Sequence, residues 1–379
     1  MKAAVHDSIA EIDSAAWNAL AGADYPFLRH EFLELAETTG SVSPDAGWTP
    51  RHLAIYDGPR LRAAMPLYEK SHSWGEFVFD WAWAQAYQRA GFPYYPKLVA
   101  AVPFTPAPST RLLRAQSDDD EAATALLEAA TTLATETGCS SVHVLFPTPD
   151  ELPLLERHGL LIRKDCQFHW HNRGYANFDD FLATFTSAKR KKARRDRRRV
   201  AEAGIRFRRV HGEEMSSDDW SIVYGLIART FMLRGSLPYF NQAFFEGLGE
   251  RLGHGILVIL AEKDDQPIAA AVFYESDTAL YGRYWGSDGH YDALHFETCY
   301  YQGIDYCIES GKTLFEPGTQ GEHKIARGFS PVTTWSAHWL AHPEFAGAIE
   351  RYLDEEGRHI DRYIDAVDAH TPYKAGDDE

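Results

Sequence analysis

The order hairpin, strand, helix, strand occurs twice in this chain, and that internal repeat restricts the fold more than any single motif. Residues 53–71 read LAIYDGPRLRAAMPLYEKS and residues 260–276 read LAEKDDQPIAAAVFYES. Each has an apolar strand, a turn rich in Asp, Gly or Pro, and a second strand with small residues ending in Tyr-Glu, so each predicts a β-hairpin. A strand (98–104; 280–285), a helix ending at a glycine (120–138; 292–311) and a short strand (141–146; 313–316) follow in both halves. In the later helix Asp292 is the expected cap, Phe296, Cys299, Gly303 and Cys307 recur at helical spacing, and Gly311 is the expected stop. With 379 residues, the chain exceeds the ~250–300 at which one core stops growing. Two α/β (α+β) domains with mixed central sheets are therefore expected, 1–170 and 171–379. The first half is longer by an insertion at about 71–96 that carries nine aromatics, a segment expected either to pack down as a lid over the domain interface or to line a pocket.

Between the halves a helix is expected over 178–203, capped by Asn177 or Asp179 and stopped at Gly204, with the strand 205–210 after it. Its centre, residues 189–199, reads KRKKARRDRRR, nine basic residues and one acid; it contributes +8 to a net charge of −17, leaving −25 on the rest. One short positive element on an acidic body argues against broad nucleic-acid coating, and against DNA as a partner. It argues instead for one local anionic partner or for internal pairing. Arg190 with Arg194 and Arg194 with Arg198 repel at i,i+4 spacing unless something neutralises them. The only other low-complexity stretch is an acidic C-terminal tail, which ends GDDE.

No apolar run approaches the ~20 residues of a membrane-spanning helix, and Asp7, Glu11 and Asp13 interrupt any signal-peptide centre, so a cytoplasmic protein is expected. Cys139, Cys166, Cys299 and Cys307 have neither C-x-x-C spacing nor the density of a disulfide scaffold. His169 and His171 share a strand face without a third ligand, and no H-E-x-x-H, cysteine quartet, G-x-S-x-G elbow or P-loop is present; metal dependence and serine hydrolysis are not expected.

Several stretches carry a resemblance: YYPKLVAAVPFTP (94–106), QFHWHN (167–172), KRKKARRDRRRV with Ala-Gly-Ile after it (189–205), LYGRYWG (280–286), LHFETCYYQGI (294–304) and FEPGTQGEHKIARGF (315–329). They resemble the FemAB-like family of N-acyltransferases, a branch of the GNAT superfamily often labelled as peptidoglycan biosynthesis or recognition proteins. The family's Gly-Ala-Gln-Gly is Gly318-Thr319-Gln320-Gly321 here. The resemblance implies two tandem GNAT-like (acyl-CoA N-acyltransferase) domains of Fem-transferase type, and the repeated element order is the core order of that fold. It also implies transfer of an acyl or aminoacyl group onto an amine. The implied acceptor is a small-molecule or peptidyl amine. The implied co-substrate is acyl-CoA or, in the Fem-type alternative, aminoacyl-tRNA, with no permanently bound cofactor.

Acyl transfer to an amine needs a neutral acceptor nitrogen, a polarised donor carbonyl and exclusion of water. In GNAT proteins the donor carbonyl meets the strand to which 280–286 corresponds, so Arg283, Tyr284 and Trp285 are candidate substrate contacts. Residues 316–327 form the densest polar cluster outside the basic helix. Pro317, Gly318 and Gly321 mark it as a loop at a strand end, where Glu322 or His323 is placed to take a proton and Gln320 and Arg327 to bind substrate. By resemblance Lys324 matches the catalytic lysine of the Fem transferases. His295 begins the helix after the candidate strand, near its positively polarised end. The resemblance to Fem relatives, whose corresponding basic segment helps bind a nucleotide-linked precursor or tRNA, implies phosphate contacts at Arg194, Arg195 and Arg198, with pairing to the acidic body as the other reading. A reading of another class is a noncatalytic RNA- or membrane-surface-binding module using the basic helix alone.

Overall fold

The computed structural model describes residues 1–116, 118–319 and 321–374; the acidic tail lies outside them. The chain forms two compact units. One comprises residues 1–166 and 333–362, the other 167–332 and 363 onward. The return of 333–362 to the first unit has no local signal in the sequence, because it depends on where the strand Ser330–Leu340 finds a partner: its residues 336–340 pair antiparallel with Ser141–Leu145.

In the first unit the expected hairpin is His52–Asp57 with Arg60–Met65. Leu67–Lys70 pairs antiparallel with Lys97–Ala100, which runs parallel to Ser141–Leu145. The connection between that parallel pair includes the helix Asp120–Thr137, whose N-terminus is capped by Asp119 and which ends at Gly138 in the left-handed conformation. Its apolar stripe, including Ala123, Leu126, Leu127 and Ala130, packs on Leu53, Met65, Leu98 and Val142. Lys97–Ala100 is shorter than expected: Ala101 turns its N–H to Pro66 O, and Pro103 has no N–H to continue the ladder.

The second unit repeats the plan. Arg206–His211, Ile256–Lys263, Gln266–Glu275 and Ala279–Ser287 pair antiparallel in that order, and Ala279–Ser287 then runs parallel to Leu314–Glu316. Asp264 and Asp265, both at positive φ, make the tight hairpin turn. Each unit thus has one parallel pair of strands joined across a helix, as the internal repeat predicts, but the first unit's hairpin lies in a separate antiparallel sheet with Lys2–His6 and Leu113–Arg114.

Two local expectations fail for identifiable reasons. The helix expected over 178–203 is broken into Phe178–Ala183, capped by Asn177, and Ser187–Glu202. Thr186 N donates to Pro372 O and Lys374 N to Thr184 O, so a distant segment captures the backbone that would have continued the helix. Asp292 does not cap the later helix. Ala293 sits at φ 63°, leaving Asp292 exposed outside the first turn at Leu294–Phe296, and Glu297–Tyr301 form a π-helical turn before Gln302–Ser310. Such an extra residue in a helix is costly and recurs at functional sites.

The aromatic insertion packs inward in part within the first unit: Trp83, Tyr87 and Tyr94 are buried, whereas Trp74, Phe79, Trp81 and Phe92 are exposed. It forms the helix Trp81–Arg89, whose Trp83 and Tyr87 join Tyr94, Leu340, Ile349 and Leu353. Beneath it lies a buried charged cluster. Lys97, fully buried, donates to Glu76 Oε2 (2.7 Å), to Ser73 Oγ (2.9 Å) and to Asp80. Tyr94 OH donates to Asp80 (2.6 Å), and the buried His143 and His338 share one hydrogen bond between their Nδ1 atoms (2.6 Å). That pair has room for a single proton between the two nitrogens, so burial keeps both rings neutral, each pKa pushed down.

Candidate active site

The polar loop and the strand that carry the sequence predictions meet in the second unit. Ala279–Ser287 and Leu314–Glu316 pair only from Ala279 to Tyr281 and from Leu314 to Glu316. Beyond that point the ladder with Gln266–Glu275 shifts register, Phe273 facing Gly282 while Val272 faces Tyr284, so Arg283 is one residue in excess. A bulge of this kind re-aims side chains. Arg283, its side chain 5 % exposed, turns to Glu316 (Nη2 to Oε2 3.5 Å) and donates to Gly282 O (2.9 Å), clamping the strand to the start of the loop.

The other two strand candidates divide. Trp285 is half-buried, its ring 5.2 Å from that of His295. Tyr284 is buried against Phe245, ring centres 5.1 Å apart, on the opposite face, and burial raises its pKa; strand alternation makes it core rather than a substrate contact. Gly286 is required by a helix, because a Cβ there would lie 2.1 Å from the backbone of Leu226 in Ser217–Met232. Gly286→Ala is expected to cost about 3 kcal/mol by overpacking, read as a lower denaturation midpoint with unchanged m-value.

The loop sorts its polar residues by burial. Residues Glu322–Arg327 form a 3₁₀ turn closed by Gly328 at φ 94°, where a Cβ would also meet the Phe181 ring at 2.7 Å. Glu322 and His323 face outward; Tyr363 OH donates to Glu322 (3.0 Å), and Tyr300 OH bonds His323 Nε2 (2.9 Å). Lys324 and Arg327 face inward, 1 % and 3 % exposed. The loop is therefore no solvated surface feature at these two positions. Lys324 Nζ donates to Gly318 O at 2.5 Å. Burial, reinforced by the Arg283 charge, pushes its pKa down to about 7. His295 is pushed down to about 4 by burial and by the charges of His323 and Arg327, so it is neutral at neutral pH. Gln320 lies outside the described residues.

The basic helix is amphipathic in charge. Its buried residues are Ala193, Asp196 and Val200. Arg197, half-buried, reaches Glu297 (3.2 Å) and Asp305 (3.1 Å), and its guanidinium lies 4.2 Å from the Phe178 ring centre. Arg194 meets Asp179 (2.8 Å) and Arg198 meets Glu202 (3.6 Å), both exposed pairs of small energy. Lys191, Lys192, Arg195 and Arg199 are exposed. A shallow cleft lined by Phe178, Leu182, Arg194, Arg197 and Asp305 flanks the helix.

Sequence reasoning passed over Asp196, Arg197 and Tyr300. The lone acid in a basic run was the available signal for the first. It also passed over His211, His254 and Glu275, whose ligand atoms lie within 4.8 Å of one another. There the Glu275 carboxylate is already held by Lys312 (2.7 Å) and by Tyr306 OH (2.8 Å), a cation and a donor where a metal would have to sit.

A family model described as peptidoglycan biosynthesis/recognition, FemAB-like, matches residues 8–375. The chain belongs to that family. No curated protein matches it. Among solved structures it is similar to FemX (TM-score 0.55, 12 % identity, covering 92 % of this chain and 100 % of that one). It is also similar to the C-terminal domain of a putative lysylphosphatidylglycerol synthetase from Agrobacterium fabrum (0.54, 12 %, 90 % and 96 %) and to a protein of unknown function from Bacteroides thetaiotaomicron (0.53, 11 %, 89 % and 99 %). At these identities the structural likeness establishes the fold. Among the described residues, no helix is long and apolar enough to cross a membrane.

Proposed function

We propose that the second unit transfers an acyl or aminoacyl group from a phosphorylated carrier, a CoA thioester or charged tRNA of the cytoplasm, onto a small or peptidyl primary amine. The observation that carries this reading is Lys324: a buried amine, seated on a 3₁₀ turn beside a bulged strand, with a pKa pushed down to about 7. Near neutral pH it exists substantially as the free amine and is able to accept the proton that an ammonium acceptor must lose before attack. His295, close enough to feel the Lys324 charge, flanks the site. The donor carbonyl is then attacked by the neutral acceptor nitrogen, the carrier leaves with the bonding electrons, and the second proton, on the new amide nitrogen, passes to the departing thiolate or ribose oxygen, while Lys324 keeps the first.

The exposed face of the basic helix supports carrier binding. Lys191, Arg195 and Arg199 stand at i, i+4 and i+8, a stripe of about 12 Å at 1.5 Å per residue, long enough to meet more than one phosphate. The triple variant Arg194→Gln, Arg195→Gln, Arg198→Gln should weaken donor binding and flatten its salt dependence by roughly one unit of logarithmic slope for each phosphate no longer held. Its melting temperature should change little, since the two ion pairs removed are exposed. Titrations with acyl-CoA and with aminoacyl-tRNA at two salt concentrations identify the carrier by which slope flattens. An unchanged slope for both removes Arg194, Arg195 and Arg198 as carrier contacts, and binding of RNA without turnover of any amine would favour the noncatalytic alternative.

A further inference from the structure

The lone acid of the basic segment points inward. Asp196 is 7 % exposed on the same buried stripe as Ala193 and Val200, while the basic residues around it face solvent or other partners. Opposite stands Arg327. Its Nη2 lies 3.9 Å from Asp196 Oδ2, its Nη1 donates to His323 O at 2.6 Å, and its guanidinium sits 3.3 Å from the Phe296 ring centre. At 3.9 Å the Asp196 contact is one of charge rather than a hydrogen bond. It still matters, because a guanidinium buried without a counter-charge is strongly destabilising, and Asp196 is the carboxylate paired with Arg327 among the described residues.

Each interaction of Arg327 does a separate task. The bond to His323 O ties the end of the 322–327 turn back to the residue before Lys324. Stacking on Phe296 fixes the turn against the start of the helix that carries His295. The charge of Asp196 holds the guanidinium in that plane. Arg197, next in sequence, runs to Glu297 and Asp305 on the same helix, so the Asp196–Arg197 pair pins the basic helix to both elements that frame Lys324.

We propose that Asp196 is a positioning residue: acting through Arg327, it fixes the turn that seats Lys324. The inference rests on the transferase reading given above for what the seating serves, but the seating itself is measurable without turnover. Replacing the acid by its neutral isostere, Asp196→Asn, should lower kcat about tenfold to a hundredfold, the cost of misplacing a reacting group by about 1 Å, with KM for amine and donor within about twofold. Amide hydrogen exchange should quicken in residues 321–329 and not in the hairpin 256–275. Asp196→Glu, which keeps the charge, should recover much of the lost rate.

The paired variant Asp196→Asn, Arg327→Met removes both charges and tests the alternative that Asp196 only neutralises a buried cation. Its melting temperature should return toward wild type while kcat stays low. Wild-type kcat in the paired variant, or unchanged exchange at 321–329 in Asp196→Asn, overturns the proposal. If wild-type protein transfers no acyl group to any amine, the transferase reading fails, and quickened exchange confined to 321–329 still establishes that Asp196 seats the turn.

Discussion

Lys324→Met should lower turnover at least a hundredfold, the lower end of what a positioned proton acceptor contributes, and should raise the melting temperature at pH 6. The two effects have one cause. Burial lowers the pKa of the amine from 10.5 to about 7. The unfolded chain therefore holds this proton more tightly than the folded one, and the folding penalty is complete below about pH 7 and fades as pH rises toward 10.5. Its size is on the order of a few kcal/mol, at about 1.4 kcal/mol per unit. Methionine has similar length without the charge, so it is expected to gain stability at pH 6 and little at pH 10. Wild-type kcat/KM should climb through about pH 7 and then level as Lys324 loses its proton. His295, already neutral above about pH 4, is not the source of that limb. A turnover within threefold of wild type, or a rising limb that survives in Lys324→Met, would contradict the assignment of Lys324 as proton acceptor.

Lys97→Met in the first unit should act in the opposite way, with a large loss of stability. Asp80 and Glu76 would then lie buried beside each other without the ammonium they bond, only the more distant buried Lys70 remaining nearby, a change that costs about 3–5 kcal/mol, or roughly 10 °C for a unit of this size. Burial drives the Glu76 pKa up to about 7, whereas at Asp80 the desolvation is outweighed by the Lys97 charge and hydrogen bond and the pKa falls to about 2. In the wild type, Asp80 contributes stability that is present above its unfolded value of 3.8 and lost as pH falls toward 2. Removing Lys97 turns that contribution into a penalty wherever the carboxylates are ionised. The deficit of the variant should therefore widen from pH 4.5 to pH 8 in thermal melts. A deficit that is constant across that range would mean that packing of the aliphatic stem, rather than charge, sets the effect.

The elements readable in the sequence were those whose causes are local. The hairpin turn at Asp264-Asp265, the helix stops at Gly138 and Gly311 and the Asn177 cap each depend on a few residues in a row. Family membership was legible too, because the stretches 280–286, 294–304 and 315–329 are distinctive as strings. Of the candidate site residues, Lys324 could be named by resemblance, but its burial could not, since the flanking Glu322, His323 and Arg327 mark a polar loop. Tyr284 illustrates the limit from the other side. In a strand with both faces in use, the side that packs on Phe245 and the side that turns to the loop read alike.

Sequence alone thus determined the repeated hairpin, strand, helix and strand order and a basic helix on an acidic chain, because periodicity and turn chemistry act over a few residues. Tertiary structure alone decided which charges are buried. Thr184 to Thr186 left the helix because Pro372 and Lys374 offered backbone partners nearly two hundred positions away. Lys97, Glu76, Asp80, His143 and His338 became one buried network only once the strand Ser330–Leu340 paired with Ser141–Leu145. Asp196 met Arg327 across 131 positions of chain. Desolvation and Coulomb attraction depend on separation in space and on exclusion of water, quantities that no window of neighbouring residues contains.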